Sequence, residues 1–230
     1  MAIKYFQGLN TITLNHRKKC TACGLHLHQL PCYDTTENPD IFWVGLSAIL
    51  FGEGDVKMPL APLTRSGSLI KDIELPLKRD FVFYKTNLVK CVPLKGGKIR
   101  YPLEMEMEKC FPNLEYELDA YKPAIVFLLG KQVSSFVMKK IGKVVTNLSE
   151  DFEYEYFKFG KTIFVPIHHP SYILVYKRKK IGIYIEKIQN LCNTLISNTE
   201  NDSYSFTHSK VTKVKQNKHF NYPAAYHVTT

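Results

Sequence analysis

No run of eighteen apolar residues occurs in the 230-residue chain, so nothing in it reads as a membrane-spanning helix. The stretch from Met1 to Lys19 is basic but lacks the apolar core and small-residue cleavage site of a secretory leader. Both absences place the protein in the cytoplasm, and the abundance of Lys, Ile, Tyr and Asn suggests an AT-rich bacterial or viral genome. Acidic residues are scarce beside basic ones, 21 against 31, which leaves a formal charge of +10 at pH 7. That surplus is the footprint of proteins that meet polyanions, although other proteins carry it too. With 45% hydrophobic and 23% charged residues the composition is that of a globular protein, and the length suits one α/β domain with no second core.

Six cysteines are present. In a reducing compartment they favour metal ligation over three disulfides, especially where two form a Cys-x-x-Cys pair. Cys20-Thr21-Ala22-Cys23 can turn both sulfurs toward one point, and Cys91 and Cys110 complete four thiolates if a loop brings them back. On spacing alone, a tetrahedral zinc or a cubane iron–sulfur cluster satisfies such a shell, and so does burial as ordinary thiols.

Along the chain, Ile41-Phe42-Trp43-Val44-Gly45 is an apolar run closed by glycine and reads as a buried strand. The segment 46–67 carries glycines and two prolines and reads as a long loop. Ser66-Gly67-Ser68 precedes apolar residues at helical spacing, with serine as the expected cap. Phe81 to Tyr84 reads as a second strand ending at Thr86-Asn87, and a helix through Glu104 to Glu108 carries Cys110 and continues past Leu118. Ala124 to Leu129, uninterrupted and closed by Gly130, reads as a central parallel strand, followed by a short helix over 131–140. Phe152 to Phe159 alternates acids with aromatics as a half-exposed strand, Thr162 to Ile167 forms another, and Ile181 to Ile196 is an amphipathic helix. Residues 1–196 thus form one domain, with a polar tail or linker over 197–230.

Three strand ends carry chemistry-bearing residues: the loop after Gly45, Asn87, and His168-His169-Pro170-Ser171. A parallel sheet gathers such ends on one edge, where open α/β folds place ligands. An asparagine amide offers a donor and an acceptor to the edge of a nucleobase. A histidine can donate to an oxygen that gains negative charge as a bond breaks. Taken singly, Asn87 reads as a turn residue and His-Pro-Ser as a plain loop.

Taken together with Val44-Gly45-Leu46-Ser47-Ala48, Thr64-Arg65-Ser66-Gly67, Thr86-Asn87-Leu88-Val89-Lys90-Cys91, Arg100-Tyr101-Pro102, Leu129-Gly130 and the four cysteines, the order of motifs resembles the iron–sulfur branch of the uracil-DNA glycosylase superfamily, families four and five. The resemblance runs from about Lys18 to Ile196. It implies a three-layer α/β/α sandwich around a central parallel four-stranded sheet, and a [4Fe–4S] cluster, rather than zinc, on Cys20, Cys23, Cys91 and Cys110. It further implies a monofunctional DNA glycosylase that hydrolyses the N-glycosidic bond of uracil, or a related deaminated or modified base, on an everted nucleotide. His169, Asn87 and Ser47 would be catalytic. Gly45, Leu46, Ala48, Phe51 and Leu60 would line the base pocket with Asn87, and Ser66, Arg100, Ser171, Arg178 and Lys179 would contact DNA. The protein would act as a monomer, with a replication protein or a further domain as partner through the tail.

The sequence departs from both families. Gly45-Leu46-Ser47-Ala48 lacks the acid of family four and lies closer to family five, yet Thr64 stands where family five has aspartate. Leu60 or Ala61 stands where a stacking phenylalanine is usual, so Phe51 is the substitute, and Glu53 and Asp55 are the acids left in that loop. These losses motivate a competing expectation, a glycosylase-fold module that binds DNA or a replication partner without excising a base. A zinc-stabilised nucleotide-binding protein is a third.

Overall fold

A computed structural model describes residues 19–205 of the chain, apart from residues 56 and 146. The basic segment 1–18 and residues 206–230, which make up most of the expected tail, lie outside the described residues.

Two apolar runs set the centre. β1 (Ile41–Ser47) hydrogen-bonds in parallel to β2 (Phe83–Val89) on one side and to β5 (Ile125–Leu129) on the other. β3 (Leu94–Lys95) and β4 (Lys98–Ile99) form a separate small hairpin between Cys91 and Cys110. β7 (Thr162–Ile167) pairs in parallel with β5, and β6 (Phe157–Phe159) pairs antiparallel with β7, giving the order β2-β1-β5-β7-β6. The four parallel strands expected from the resemblance are therefore present, but the sheet has a fifth. Gly160, at φ 61°, turns the chain back so that β6 covers the open edge of β7. Only Phe157 to Phe159 of the expected strand 152–159 joins the ladder. Upstream, Asp151 is drawn off to Lys180 at 3.3 Å, and Glu150 and Glu153 pair with Lys177 and Lys187.

Strands buried on both faces must be apolar at every position, which is why these runs do not alternate with polar residues. Ile41, Trp43, Ile125, Phe127, Ile163 and Val165 face one side and join α1 (Arg65–Glu74) and the helix near the C-terminus in one core. Trp43 stacks on its cross-strand partner Phe127, ring centroids 4.6 Å apart. Phe42, Val44, Val126 and Leu128 face the other side, against α2 (Glu104–Tyr121) and α3 (Lys131–Lys140). Helices on both faces of the sheet give the three-layer sandwich.

α4 (Pro170–Tyr176) begins directly after β7, and α5 (Ile181–Ser205) closes the described chain. α5 runs nine residues beyond Ile196, so the expected start of the tail falls inside this helix. The cap of α1 also differs from expectation. Thr64, not a serine, accepts the amide of Gly67 at 3.0 Å, because the chain enters the helix two residues before the serines.

Strand β2 lies at the sheet edge yet is buried throughout. The segment after the first cysteine pair shields it: Lys85 donates its amide to Asp34 Oδ2 at 2.8 Å, and Cys32 donates its amide to the Lys90 carbonyl at 2.9 Å. Beneath this cover Lys90 reaches Glu117 and Thr86 at 2.5 Å each, and Lys85 reaches Glu74 at 2.7 Å. β2 is thus tied to helices on both faces by buried charges.

Candidate active site

At the carboxyl ends of the parallel strands, the face that packs on α1 holds Gly45 of β1 and Asn87 of β2, directly paired in register. A methyl group built on Gly45 would stand 2.4 Å from Asn87 Oδ1, so a glycine is required for the asparagine amide to lie across the neighbouring strand. Asn87 is 3% exposed, and among the described residues its side chain has no hydrogen-bond partner. Its amide opens on a cavity, where a ligand can hydrogen-bond to it.

Gly45→Ala tests this close approach. It should shift the Asn87 amide and destabilise the fold by about 1–3 kcal/mol through overpacking. In a base-release assay it should fall at least about tenfold below the parent, if an amide misplaced by about 1 Å costs what misplaced groups usually cost. A variant with the parent's melting temperature and activity would show that the contact is not binding.

Asn87 opens into a cavity of about 490 Å³. Its walls come from the end of β1 (Gly45, Leu46 and Ser47), from the loop after it (Ala48 and Phe51), from Leu60 and Ser66, and from His169 after β7, so every residue expected in the base pocket lies here. Leu60 has a left-handed backbone, φ 50°, and the carbonyls of Leu60 and Ala61 press so closely on Gly67 that a methyl there would meet them at 2.4 and 2.0 Å. That contact fixes the loop over the start of α1. Met58, Arg65, Ile99 and Tyr101 also line the cavity and were not singled out from sequence. Tyr101, 72% exposed, lay within a quoted motif, but its place at the mouth depends on the β3–β4 hairpin. Glu53 and Asp55 do not line the cavity; Asp55 Oδ2 instead accepts the Gly52 amide.

His169 is the N-cap of α4. Its Nδ1 accepts the Ser171 amide at 3.1 Å and stands 2.7 Å from Ser171 Oγ. A backbone amide can only donate, so Nδ1 carries the lone pair and a neutral ring bears its proton on Nε2. Burial pulls the His169 pKa below the ordinary histidine value, in agreement with that state. The ring is therefore a neutral donor at the cavity wall. Ser171 contacts His169 through its amide and hydroxyl and is not among the residues lining the cavity. His168 is turned away, with Nδ1 2.9 Å from Tyr154 Oη and its carbonyl accepting Tyr184 Oη at 2.8 Å.

The residues expected to contact DNA do not all converge. Ser66 lines the cavity, whereas Arg100 forms a two-pronged pair with Glu106, Nη1 to Oε2 at 2.8 Å and Nη2 to Oε1 at 2.5 Å. Arg178 and Lys179 form an exposed 3-10 turn after α4, outside the cavity.

The four cysteines of interest carry no disulfide. Cys91 and Cys110 are buried in one core cluster, and Cys23 packs against it. Burial first, then the neighbouring thiols Cys110, Cys23, Cys20 and Cys32, push the Cys91 pKa up to about 12. Cys110 Sγ accepts the Lys90 amide at 3.3 Å and faces Asn113 Nδ2 at 3.7 Å. Cys32, pushed up to about 11 chiefly by burial, stands near the same group, and Cys192 lies in the opposite core. Among the described residues no three Cys, His, Asp or Glu side chains form a group able to hold a single metal ion.

Comparison with known proteins agrees with this architecture. Residues 36–191 match the family model described as Uracil DNA glycosylase superfamily. A Type-4 uracil-DNA glycosylase of Thermotoga maritima is 31% identical over 176 residues, 73% of this chain and 84% of that protein. One of Sulfurisphaera tokodaii is 32% identical over 131 residues, 55% of this chain and 57% of that protein. One of Archaeoglobus fulgidus is 29% identical over 134 residues, 55% of this chain and 65% of that protein. The chain thus spans a little over half of the Sulfurisphaera relative and most of the Thermotoga one. These relatives carry the type-4 name, although the first motif here lacks the family-four acid. The matched span covers β1 to α5 with both Asn87 and His169, and the chain belongs to the uracil DNA glycosylase superfamily.

Proposed function

We propose that the protein is a monofunctional DNA glycosylase that hydrolyses the N-glycosidic bond of uracil in DNA. The single observation that carries this reading is the convergence of an unpaired, buried Asn87 amide and a neutral Nε2–H donor from His169 on one cavity. An everted uracil presents N3–H and O4 on one edge, which suits the acceptor and donor of Asn87. As the glycosidic bond breaks, electrons pass to the ring and its O2 gains negative charge. A preorganised His169 Nε2–H facing that oxygen lowers the barrier without moving a proton, and water completes hydrolysis at the sugar to leave an abasic site. Ser47, on the cavity wall, is placed to hold that water. With no carboxylate among the residues lining the cavity, stabilisation of the departing base is the main lever. Leu60, Phe51 and Tyr101 enclose the base with apolar surface.

We assign a [4Fe–4S] cluster to Cys20, Cys23, Cys91 and Cys110. The donor set fits such a group: four thiols approach one another, two of them buried, and two N–H donors face Cys110 Sγ. When bound, the cluster supplies a structural crosslink between the N-terminal segment, β2 and α2. The DNA-binding roles of Ser66, Ser171, Arg178 and Lys179 belong to the same proposal, as does action as a monomer. No helix of the described residues is long and apolar enough to cross a membrane.

The test is base release from oligonucleotides bearing uracil, hypoxanthine or hydroxymethyluracil, followed by alkali. Scission at uracil is expected, from a yellow-brown protein with a broad band near about 400 nm. Tight, salt-sensitive binding with no scission on any lesion, cluster intact, would favour the non-catalytic module instead.

A further inference from the structure

The β3–β4 hairpin carries an aromatic ring to the mouth of the cavity and packs it against no other ring. Gly96 and Gly97, at φ 57° and 73°, make the tight turn, and the Arg100 amide extends the ladder by donating to the Pro93 carbonyl at 3.0 Å. Along an extended strand, successive side chains point to opposite sides. Ile99 and Tyr101 accordingly line the cavity, while Arg100 between them turns to the start of α2 and holds Glu106 with both terminal nitrogens. The Tyr101 backbone is fixed from both sides: its carbonyl accepts Arg100 Nη1 at 2.9 Å, Pro102 is buried, and the Leu103 amide donates to Glu106 Oε2 at 2.7 Å. The side chain is not held in this way. Tyr101 is 72% exposed, and among the described residues neither its ring nor its hydroxyl has a ring or hydrogen-bond partner. Tyr176, equally exposed, packs on Tyr172 with centroids 5.3 Å apart, so exposure alone does not leave a tyrosine ring unstacked in this fold. Ile49 and Ile99, 45% and 54% exposed, complete an apolar rim on the same cavity.

We propose that Tyr101 is a stacking platform for a nucleobase that flanks the everted nucleotide. The inference rests on the glycosylase reading and adds to it a second base subsite, outside the pocket that takes the reacting base. A planar, largely apolar ligand suits an exposed phenol ring with isoleucines beside it, and DNA carries such a plane on either side of the target nucleotide. In a duplex those faces are covered by their neighbours until the target swings out. In a single strand they are free from the start. The tyrosine side chain has few torsions and its backbone is already pinned, so little conformational freedom is lost when a base lands on it. Every base has a π-face, so the contact asks nothing of the sequence. It also uses no charge, which separates it from the phosphate contacts that salt weakens.

The test uses the whole cluster-loaded protein and a single strand bearing 2′-fluoro-2′-deoxyuridine, an analogue whose glycosidic bond resists cleavage. One probe carries 2-aminopurine on the 5′ side of the analogue and a second carries it on the 3′ side; this base loses fluorescence when it stacks. The parent should quench one of the two probes on binding. Tyr101→Ala should abolish that quench and bind about tenfold more weakly, the size expected for one base–aromatic stack. Its log–log salt slope should stay that of the parent, since no charge is removed. Tyr101→Phe should keep both quench and affinity, and Tyr101→Leu should keep neither, because the aromatic face and not apolar bulk takes the base. In uracil release Tyr101→Ala should raise KM about tenfold with kcat near the parent's, as for a contact made equally in ground and transition states. Melting temperatures should match the parent, since the ring is exposed. A parent that quenches neither probe overturns the proposal, and so does a folded Tyr101→Ala protein that quenches and binds as the parent does. Parent affinity in Tyr101→Leu overturns it too, as does a loss in kcat alone, which would put the ring on the reacting base. Quench and binding read out whether or not the base is released. A parent that quenches but releases no uracil therefore strikes the glycosylase reading, whereas normal release beside a quench indifferent to Tyr101→Ala strikes the stacking subsite alone.

Discussion

His169→Ala is expected to lower kcat for uracil release by about 10² to 10³-fold while changing KM little, because it removes one preorganised donor to a charge present only in the transition state. The melting temperature should change little, since the ring is only half buried and its one bonded partner, Ser171, is at the surface. The pH profile separates this role from general acid catalysis. Burial lowers the His169 pKa, so the folded protein keeps the ring neutral through the range where a free imidazole, pKa about 6.5, takes a proton. Protonation at Nδ1 would also break the bond from the Ser171 amide. Activity should therefore be flat as pH falls through about 6.5 and decline only below it. A catalyst that donated a proton from His169 would instead gain activity as pH fell through the lowered pKa of that ring. Single-turnover rates from about pH 5 to 8 distinguish the two.

Lys90→Ala should be the most damaging single change to stability, at about 3–5 kcal/mol. Lys90 and Glu117 are 1% and 0% exposed and meet at 2.5 Å, so removing the cation leaves a carboxylate buried without a counter-ion. Tyr84 and Thr86 also donate to Glu117, at 3.1 and 3.0 Å, but neither carries charge. Burial first, and then Glu117, hold the Tyr84 hydroxyl far above its ordinary pKa, so it stays a neutral donor. For a domain of this size the loss corresponds to a fall of roughly 10 °C in Tm. The double variant Lys90→Met with Glu117→Leu should recover most of it, because a buried pair replaced by apolar side chains of similar volume is often neutral or stabilising. The same lysine gives its backbone amide to Cys110 Sγ and precedes Cys91. Loss of the pair frees α2 from β2 at the thiols, so the single variant should also lose absorbance near about 400 nm if the cluster is held there. A Lys90→Ala protein with the parent's melting curve would refute the energetic claim.

Much of the framework was readable from local pattern. Ala124 to Leu129 and Thr162 to Ile167 had to be buried strands because no other element hides consecutive apolar residues on two faces, and the helix over 131–140 appears with the expected bounds. Asn87 and His169 could be singled out because each follows an apolar run, and strand ends in a parallel sheet share an edge. The cap of α1 was misassigned because Thr64 and Ser66 are equivalent cap formers in sequence. Only the approach of Gly67 to the Leu60 and Ala61 carbonyls decides between them.

By itself the amino-acid order determined the strands and picked out the four thiols, Asn87 and His169, since periodicity and residue chemistry are properties of short stretches; the layered architecture followed only from the resemblance carried by the order of the motifs. Tertiary structure alone decided the fifth strand, the pairing of Gly45 against Asn87, the tautomer of His169, and which arginine is spent on a carboxylate. A charge is free or spent according to what packing brings within about 4 Å of it. Glu106 lies six residues from Arg100, but only the start of α2 turns its carboxylate back onto that guanidinium and leaves Arg65 exposed at the cavity.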